Sequence, residues 1–242
     1  MNQYIIETKN LSKKSGSAYR VRNLNMQVPK GIVYGFLGPN GAGKTTTLKL
    51  ILGLIRQTDG EISILGQKVS ASTRLRLNRS IGSLIENPGG YGHLTGLENM
   101  QIIQKLKGVP KDAITSALKT VRLYEQKDKK LKNYSLGMRQ RLGIAMALLG
   151  DPDILILDEP TNGLDPSGIQ EIRTLIRTLS EERGITIIVS SHLLSEVEQM
   201  ADYVGIIHHG HMLYQGRLDA LEKEGQTLED AFLQLTEGGN SL

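Results

Sequence analysis

The sequence predicts an α/β fold: a largely parallel sheet wrapped by helices, with an antiparallel β part at the N-terminal end and a helical block inserted between two strands. Three observations predict it. Residues 154–157 (Ile-Leu-Ile-Leu) and 186–189 (Thr-Ile-Ile-Val) are continuous apolar runs rich in β-branched side chains, as expected of parallel strands covered on both faces. In the first thirty residues the spacing is two: Ile5, Glu7 and Lys9 alternate with their neighbours, and Leu24, Met26 and Val28 alternate with polar residues. From 95 to about 150 the spacing becomes helical.

In chain order, 31–38 reads as a buried strand running into a glycine-rich turn, 45–54 as a helix, and 62–65 and 80–85 as further strands. Thr95 suits a helix N-cap, with Glu98 three residues on as its capping-box partner. Pro110 suits the first turn of a second helix over 111–124. In a third helix Met138, Leu142, Ala145, Met146 and Leu149 recur at spacings of three and four, on one face. Residues 203–216 read as a hairpin turning at His209-Gly210, and two short helices finish the chain, the second over 228–235. No internal repeat or low-complexity linker appears, so 1–242 reads as one domain, with the helical insertion at about 89–150 and a helical tail at about 217–242.

Two motifs carry chemistry. Gly38, Pro39, Asn40, Gly41, Ala42, Gly43, Lys44 and Thr45 match the phosphate loop G-x-x-x-x-G-K-[ST], with Thr46 next in line. The glycines let backbone N–H groups converge on phosphate oxygens, and a helix N-terminus points its positive end at the anion. Lys44 supplies a point charge, and the Thr45 hydroxyl is a ligand for magnesium. The second motif is an apolar strand that ends in Asp158-Glu159-Pro160. At the carboxyl end of a parallel strand, Asp158 is placed to hold the magnesium shell and Glu159 to polarise an attacking water. Together they predict a P-loop NTPase core.

From the helical insertion onward the chain resembles the ATP-binding subunits of ABC transporters, and the resemblance covers nearly its whole length. Asn133-Tyr134-Ser135-Leu136-Gly137-Met138 stands where that family has its LSGGQ signature, with Ser135 and Gly137 kept. Asn162-Gly163-Leu164-Asp165 resembles the loop that crosses the family's dimer interface, and His192 resembles its switch histidine. The resemblance implies Mg-dependent hydrolysis of ATP. Glu159, His192 and Lys44 would be catalytic. Ser135, Gly137 and Asp165 would reach the ATP held by a second copy of the chain.

Two positions depart from the family. Glu86 replaces a glutamine expected to approach the magnesium, and is carried over as a metal ligand beside Thr45 and Asp158. Ser15 stands where an aromatic ring usually stacks on adenine; Tyr19 is either its substitute or an ordinary strand residue. Glu86 in Leu-Ile-Glu-Asn-Pro, the Tyr-Ser-Leu-Gly-Met signature and the tail Leu228-Glu229-Asp230-Ala231-Phe232 together resemble one subgroup. It comprises the ATPases of lantibiotic self-protection exporters (LanF of LanFEG systems) and their bacitracin-resistance relatives. The implied partners are a second copy and two integral-membrane permease subunits, at the cytoplasmic face of the membrane, with an antimicrobial peptide as cargo.

Composition sets the exclusions. The absence of cysteine removes disulfide and thiolate-zinc readings and suits a reducing cytosol. No apolar run approaches the roughly 18–20 residues that span a bilayer, and no basic segment followed by an apolar run opens the chain. A net charge of +4, 4% aromatic residues and no Trp argue against a nucleic-acid partner. That weakens the alternative of an ABC ATPase switch acting on nucleic acid or the ribosome. Lys127, Lys129, Lys130 and Lys132 read as a solvated face, or as a contact with acidic lipid or a partner. His208, His209 and His211 lack a carboxylate or cysteine at a spacing that would complete a metal site.

Overall fold

The structure, a computed structural model, describes residues 4–86, 88–222 and 227–237. Asn87 and parts of the predicted tail lie outside them. An antiparallel sheet comes first, built from β1 (Tyr4–Ser15), β2 (Ala18–Leu24) and β3 (Gln27–Pro29), and later joined by β5 (Asp59–Ile64) and β6 (Gln67–Lys68). Ile5 and Ile6 are both buried, against simple alternation, because the β1–β3 register shifts between Tyr4 and Ile6.

The second sheet has the order β11-β10-β4-β9-β8-β7 among the described residues. Its strands are β4 (Val33–Leu37), β7 (Ile81–Leu84), β8 (Ile154–Asp158), β9 (Thr186–Ser191), β10 (Tyr203–His208) and β11 (His211–Arg217). All pairs are parallel except the β10–β11 hairpin. Both runs of apolar residues, in β8 and β9, are buried throughout, as two-sided cover requires. One apolar core lies between the two sheets around α1 (Lys44–Ile51), and the other between the parallel sheet and the helices.

The helical block consists of α3 (Gly96–Lys107), α4 (Asp112–Thr120) and α5 (Leu136–Leu148), and the short α2 (Arg74–Arg79) precedes β7. Thr95 caps α3 through the expected box with Glu98, and these hydrogen bonds from Thr95 hold the Glu98 carboxyl below its usual range. α4 ends before the predicted 124. Arg122 turns left-handed at φ +56, and the Leu123 N–H closes on the Leu118 carbonyl at 2.8 Å, which folds Leu123 back into the core. α5 is buried on more than the one predicted face, since Gly143, Ile144, Ala147 and Leu148 are covered as well. It lies between β7 and the other two helices of the block. A further helix, α6 (Pro166–Arg183), was not among those expected, although its signals are all in the sequence: Asp165 caps it, Pro166 opens it, Gly184 ends it at φ +64, and Ile172, Leu175, Ile176 and Leu179 are its buried stripe. After β9 come α7 (Leu194–Glu198), α8 (Leu218–Glu222) and α9 (Leu228–Glu237).

What seats the helical block is a close approach of α5 to β7. A Cβ added to Gly82 would lie 2.4 Å from the Ala147 carbonyl oxygen, so only glycine lets the helix settle at this distance. Gly82→Ala is therefore expected to lower stability by about 1–3 kcal/mol through overpacking against backbone. Urea unfolding should show a lower midpoint with an unchanged slope.

Candidate functional site

The site forms where β4, β9 and β8 end side by side. The register pairs Leu37 with Ser191 and Asp158 with Ser190, so three loops leave the sheet at one edge, the carboxyl edge at which open α/β sheets bind ligands. Residues 38–43 turn from β4 into α1. Gly43 sits at φ +112, and a Cβ there would meet the Arg20 carbonyl at 2.7 Å. Ala42 faces away from the cleft: its N–H donates to the Pro39 carbonyl (3.1 Å), and its carbonyl accepts from the Gly210 N–H (2.8 Å) in the β10–β11 turn. The loop is thus braced from β2 and from the hairpin before any ligand arrives.

Lys44, the first residue of α1, is buried and curls back over the loop. Its ammonium donates to the carbonyls of Gly38 (2.7 Å) and Pro39 (3.3 Å) and pairs with Glu159 Oε1 at 3.2 Å. Pro39, Asn40, Gly41, Gly43, Lys44, Thr45 and Thr46 line an open cleft of about 480 Å³, completed by Glu159, Lys49, Lys13, Ser15, Arg20 and Ile55. The N–H groups of the first turn of α1 have no intrahelical partners and face this loop, which makes the cleft an anion site.

Asp158, the last residue of β8, is 3% exposed. Its Oδ2 accepts from the Thr45 hydroxyl (2.8 Å) and its Oδ1 from the Ser190 hydroxyl (2.5 Å). Ser190 also accepts from the Glu159 N–H at 3.0 Å, so one buried hydroxyl clamps both acids. Glu159 needs the clamp, because its φ of +49° is unfavourable for a long side chain. Its Oε2 lies 2.7 Å from His192 Nδ1. Ser190 is a site residue that the sequence motifs do not single out. Its signal is a hydroxyl ending the apolar run of β9, in a position that demands a partner once buried.

Thr45 and Asp158 present hard oxygen donors within 2.8 Å of each other at the cleft wall, a donor set that fits a magnesium ion sharing its shell with substrate phosphates and water. Glu86 is placed differently. Its carboxylate pairs with Lys49 at 2.6 Å, one helical turn along α1 from Thr45 and at the cleft rim. Ser135, Gly137 and Asp165 are brought together in a separate cleft with Arg141, Gly163 and Glu171. There the Ser135 hydroxyl caps α5 through the Met138 N–H (3.2 Å), and the Asp165 carboxylate caps α6 through the Gly168 N–H (3.1 Å). No residue is shared between the linings of the two clefts.

Tyr19 is a correction. The structure turns it away from the cleft that Ser15 and Arg20 line. It stands opposite Lys14 in the β1–β2 pair, with the Lys14 ammonium 4.6 Å and the Arg22 guanidinium 5.2 Å from the ring centre. Successive strand residues face opposite sides, so Arg20 in the cleft puts Tyr19 outside it.

The chain is similar to known proteins in sequence and in fold. The ABC transporter family pattern matches residues 21–162. The bacitracin transport ATP-binding protein BcrA of Enterococcus faecalis is 48% identical over 225 residues, covering 93% of this chain and 73% of that protein. BcrA of Bacillus licheniformis is 51% identical over 223 residues, covering 92% and 72%. The lantibiotic transport ATP-binding protein SrtF of Streptococcus pyogenes is 43% identical over 228 residues, covering 94% and 96%. Among solved structures, cbiO1 of Clostridium perfringens, part of the ABC transporter complex cbiONQ, superposes with a TM-score of 0.84 at 28% identity, covering 97% of this chain and 96% of that one. The ATP-binding cassette MJ0796, a dimer bound to ADP and Pi, gives 0.78 at 27% identity, covering 88% and 98%.

Because Tyr19 lies off the cleft, Tyr19→Ala should leave nucleotide affinity within about threefold, well short of the 1–3 kcal/mol that loss of a base-stacking ring costs. Titration with a fluorescent ATP analogue checks this.

Proposed function

The chain belongs to the ABC transporter ATP-binding family, and on that premise we propose that it powers export of an antimicrobial peptide of the bacitracin or lantibiotic kind. As a member of that family it binds nucleotide and hydrolyses ATP in step with transport. The cargo is inferred from the roles of BcrA and SrtF. The working unit we propose is a pair of these chains under two integral-membrane permease subunits, at the cytoplasmic face of the membrane. No helix among the described residues is long and apolar enough to cross a membrane.

The observation that carries the hydrolytic reading is the linked set Lys44–Glu159–His192 beside Thr45–Asp158 at one sheet edge. The α1 N-terminus and Lys44 would hold the β- and γ-phosphates. Thr45 and Asp158 would hold Mg2+, which when bound offsets phosphate charge. Glu159 would orient a water whose oxygen attacks the γ-phosphorus as the bond to the bridging β–γ oxygen breaks. ADP leaves with that oxygen, and the water's proton moves toward the Glu159 carboxylate. His192, on the second carboxylate oxygen, would fix the direction in which Glu159 points. At the base end, Arg20 and Ile55 would flank the purine in place of a ring. Glu86 would have to leave Lys49 to join the metal shell.

The two separate clefts favour a composite site, in which Ser135, Gly137 and Asp165 of one copy complete the phosphate cleft of the other. Hydrogen-bond donors at the α5 N-terminus suit a γ-phosphate.

Glu159→Gln should retain ATP binding, lower kcat by about 10²–10⁴-fold as expected for loss of a general base, and accumulate an ATP-bound dimer. Steady-state hydrolysis with light scattering tests this, and hydrolysis at the wild-type rate would refute the assignment. A Lys44→Ala chain mixed with a Ser135→Arg chain should regain activity that neither has alone, because each mixed pair contains one intact composite site. Absence of recovery, with mixed dimers shown to form, would exclude sharing across the pair.

A further inference from the structure

One buried acid takes no part in the phosphate chemistry. Glu196, on α7, is 5% exposed, and Thr161, in the loop between Glu159 and Asp165, is 4% exposed. The Thr161 hydroxyl donates to Glu196 Oε2. Neither residue lines either cleft. A buried carboxylate is costly, and an apolar side chain of similar volume would fill the same space more cheaply.

Their positions suggest a use. The segments 158–161 and 190–196 are tied by successive contacts. Ser190 bonds to Asp158 and to the Glu159 N–H, His192 bonds to Glu159, and Glu196 bonds to Thr161. Past Thr161 the chain turns at once. The Leu164 N–H donates to the Thr161 carbonyl at 3.1 Å, and Asp165 then caps α6. These contacts run in series from Glu159 and His192 to Thr161, and Thr161 in turn holds the loop 162–165 through the Leu164 N–H.

We propose that Thr161 and Glu196 form a buried latch that makes the loop 162–165 follow the Glu159–His192 pair. Glu196 is then a positioning residue for hydrolysis, although it touches neither substrate nor metal. The latch rests on the reading of Glu159 and His192 as the hydrolytic pair.

The test uses the full chain, with kcat and KM for ATP, affinity for a fluorescent ATP analogue, and thermal unfolding. Thr161→Val keeps the shape but removes the O–H. It should lower kcat about tenfold through misplacement of the site, with KM and analogue affinity within about threefold. Thr161→Ser should restore kcat. The pair Thr161→Val with Glu196→Leu leaves no orphaned carboxylate, so it should unfold at or above the wild-type temperature and still show the lowered kcat. This double variant decides the matter if the single valine variant does not fold. Wild-type kcat in the double variant, or no rescue by serine, would overturn the latch and reduce the pair to packing. Glu159→Gln is run alongside. If it hydrolyses ATP at the wild-type rate, the site reading falls and the latch with it. If it is inactive while the double variant is fully active, the latch alone falls.

Discussion

The Glu159 carboxylate, held between the Lys44 ammonium at 3.2 Å and the His192 ring at 2.7 Å, is the interaction around which the rest is arranged. Each group comes from a different strand end, and none could reach the others unless β9 lay between β4 and β8. Glu159 is partly buried between its two partners, so removing one member disturbs the others. The backbone is recruited as well. Glu159 adopts a left-handed φ that ordinary strand ends avoid, and the Ser190 hydroxyl and carbonyl both receive its N–H. Strain concentrated where the surroundings over-determine it is typical of functional positions.

Bracing extends outward from there. The phosphate loop is bonded to the Gly210 turn, and the β10–β11 hairpin is part of the same sheet. A loop fixed in this way needs little reorganisation to meet a phosphate, which is the requirement for electrostatic stabilisation without a conformational penalty. The second cleft is built on the same physics. Two helix N-termini, α5 and α6, open into it, capped by Ser135 and Asp165. One chain therefore carries two clefts at helix N-termini, one on the sheet edge and one beside the helical block. The position of that block relative to the sheet rests on contacts as close as that between Gly82 and the Ala147 carbonyl.

Motifs that are local in the chain are legible from residue order alone. A phosphate loop needs its glycines and lysine at set offsets because the backbone must curl within about eight residues, and an apolar strand ending in two acids needs only about six. Helix boundaries set by local caps, such as Thr95 with Glu98, are equally readable. The family resemblance is legible as well, since Ser135, Gly137, Asp165 and His192 fall in order along the chain. α6 is equally local, with its cap Asp165, its opening Pro166, its closing Gly184 and its apolar residues at helical spacing all present in residue order.

What the sequence alone determined, then, was the α/β class and the ATP-binding family, and it marked the phosphate loop and the two acids ending β8 as candidates, all from short-range residue patterns. The tertiary structure decided what depends on strand order and side-chain direction. It placed Ser190 against Asp158 across 32 residues and Thr161 against Glu196 across 35. It also turned Tyr19 out of the cleft and Arg20 into it, because in a strand a shift of one residue reverses the face. Such contacts join segments far apart along the chain, and no local pattern records which of two neighbouring residues will face inward until the sheets are stacked.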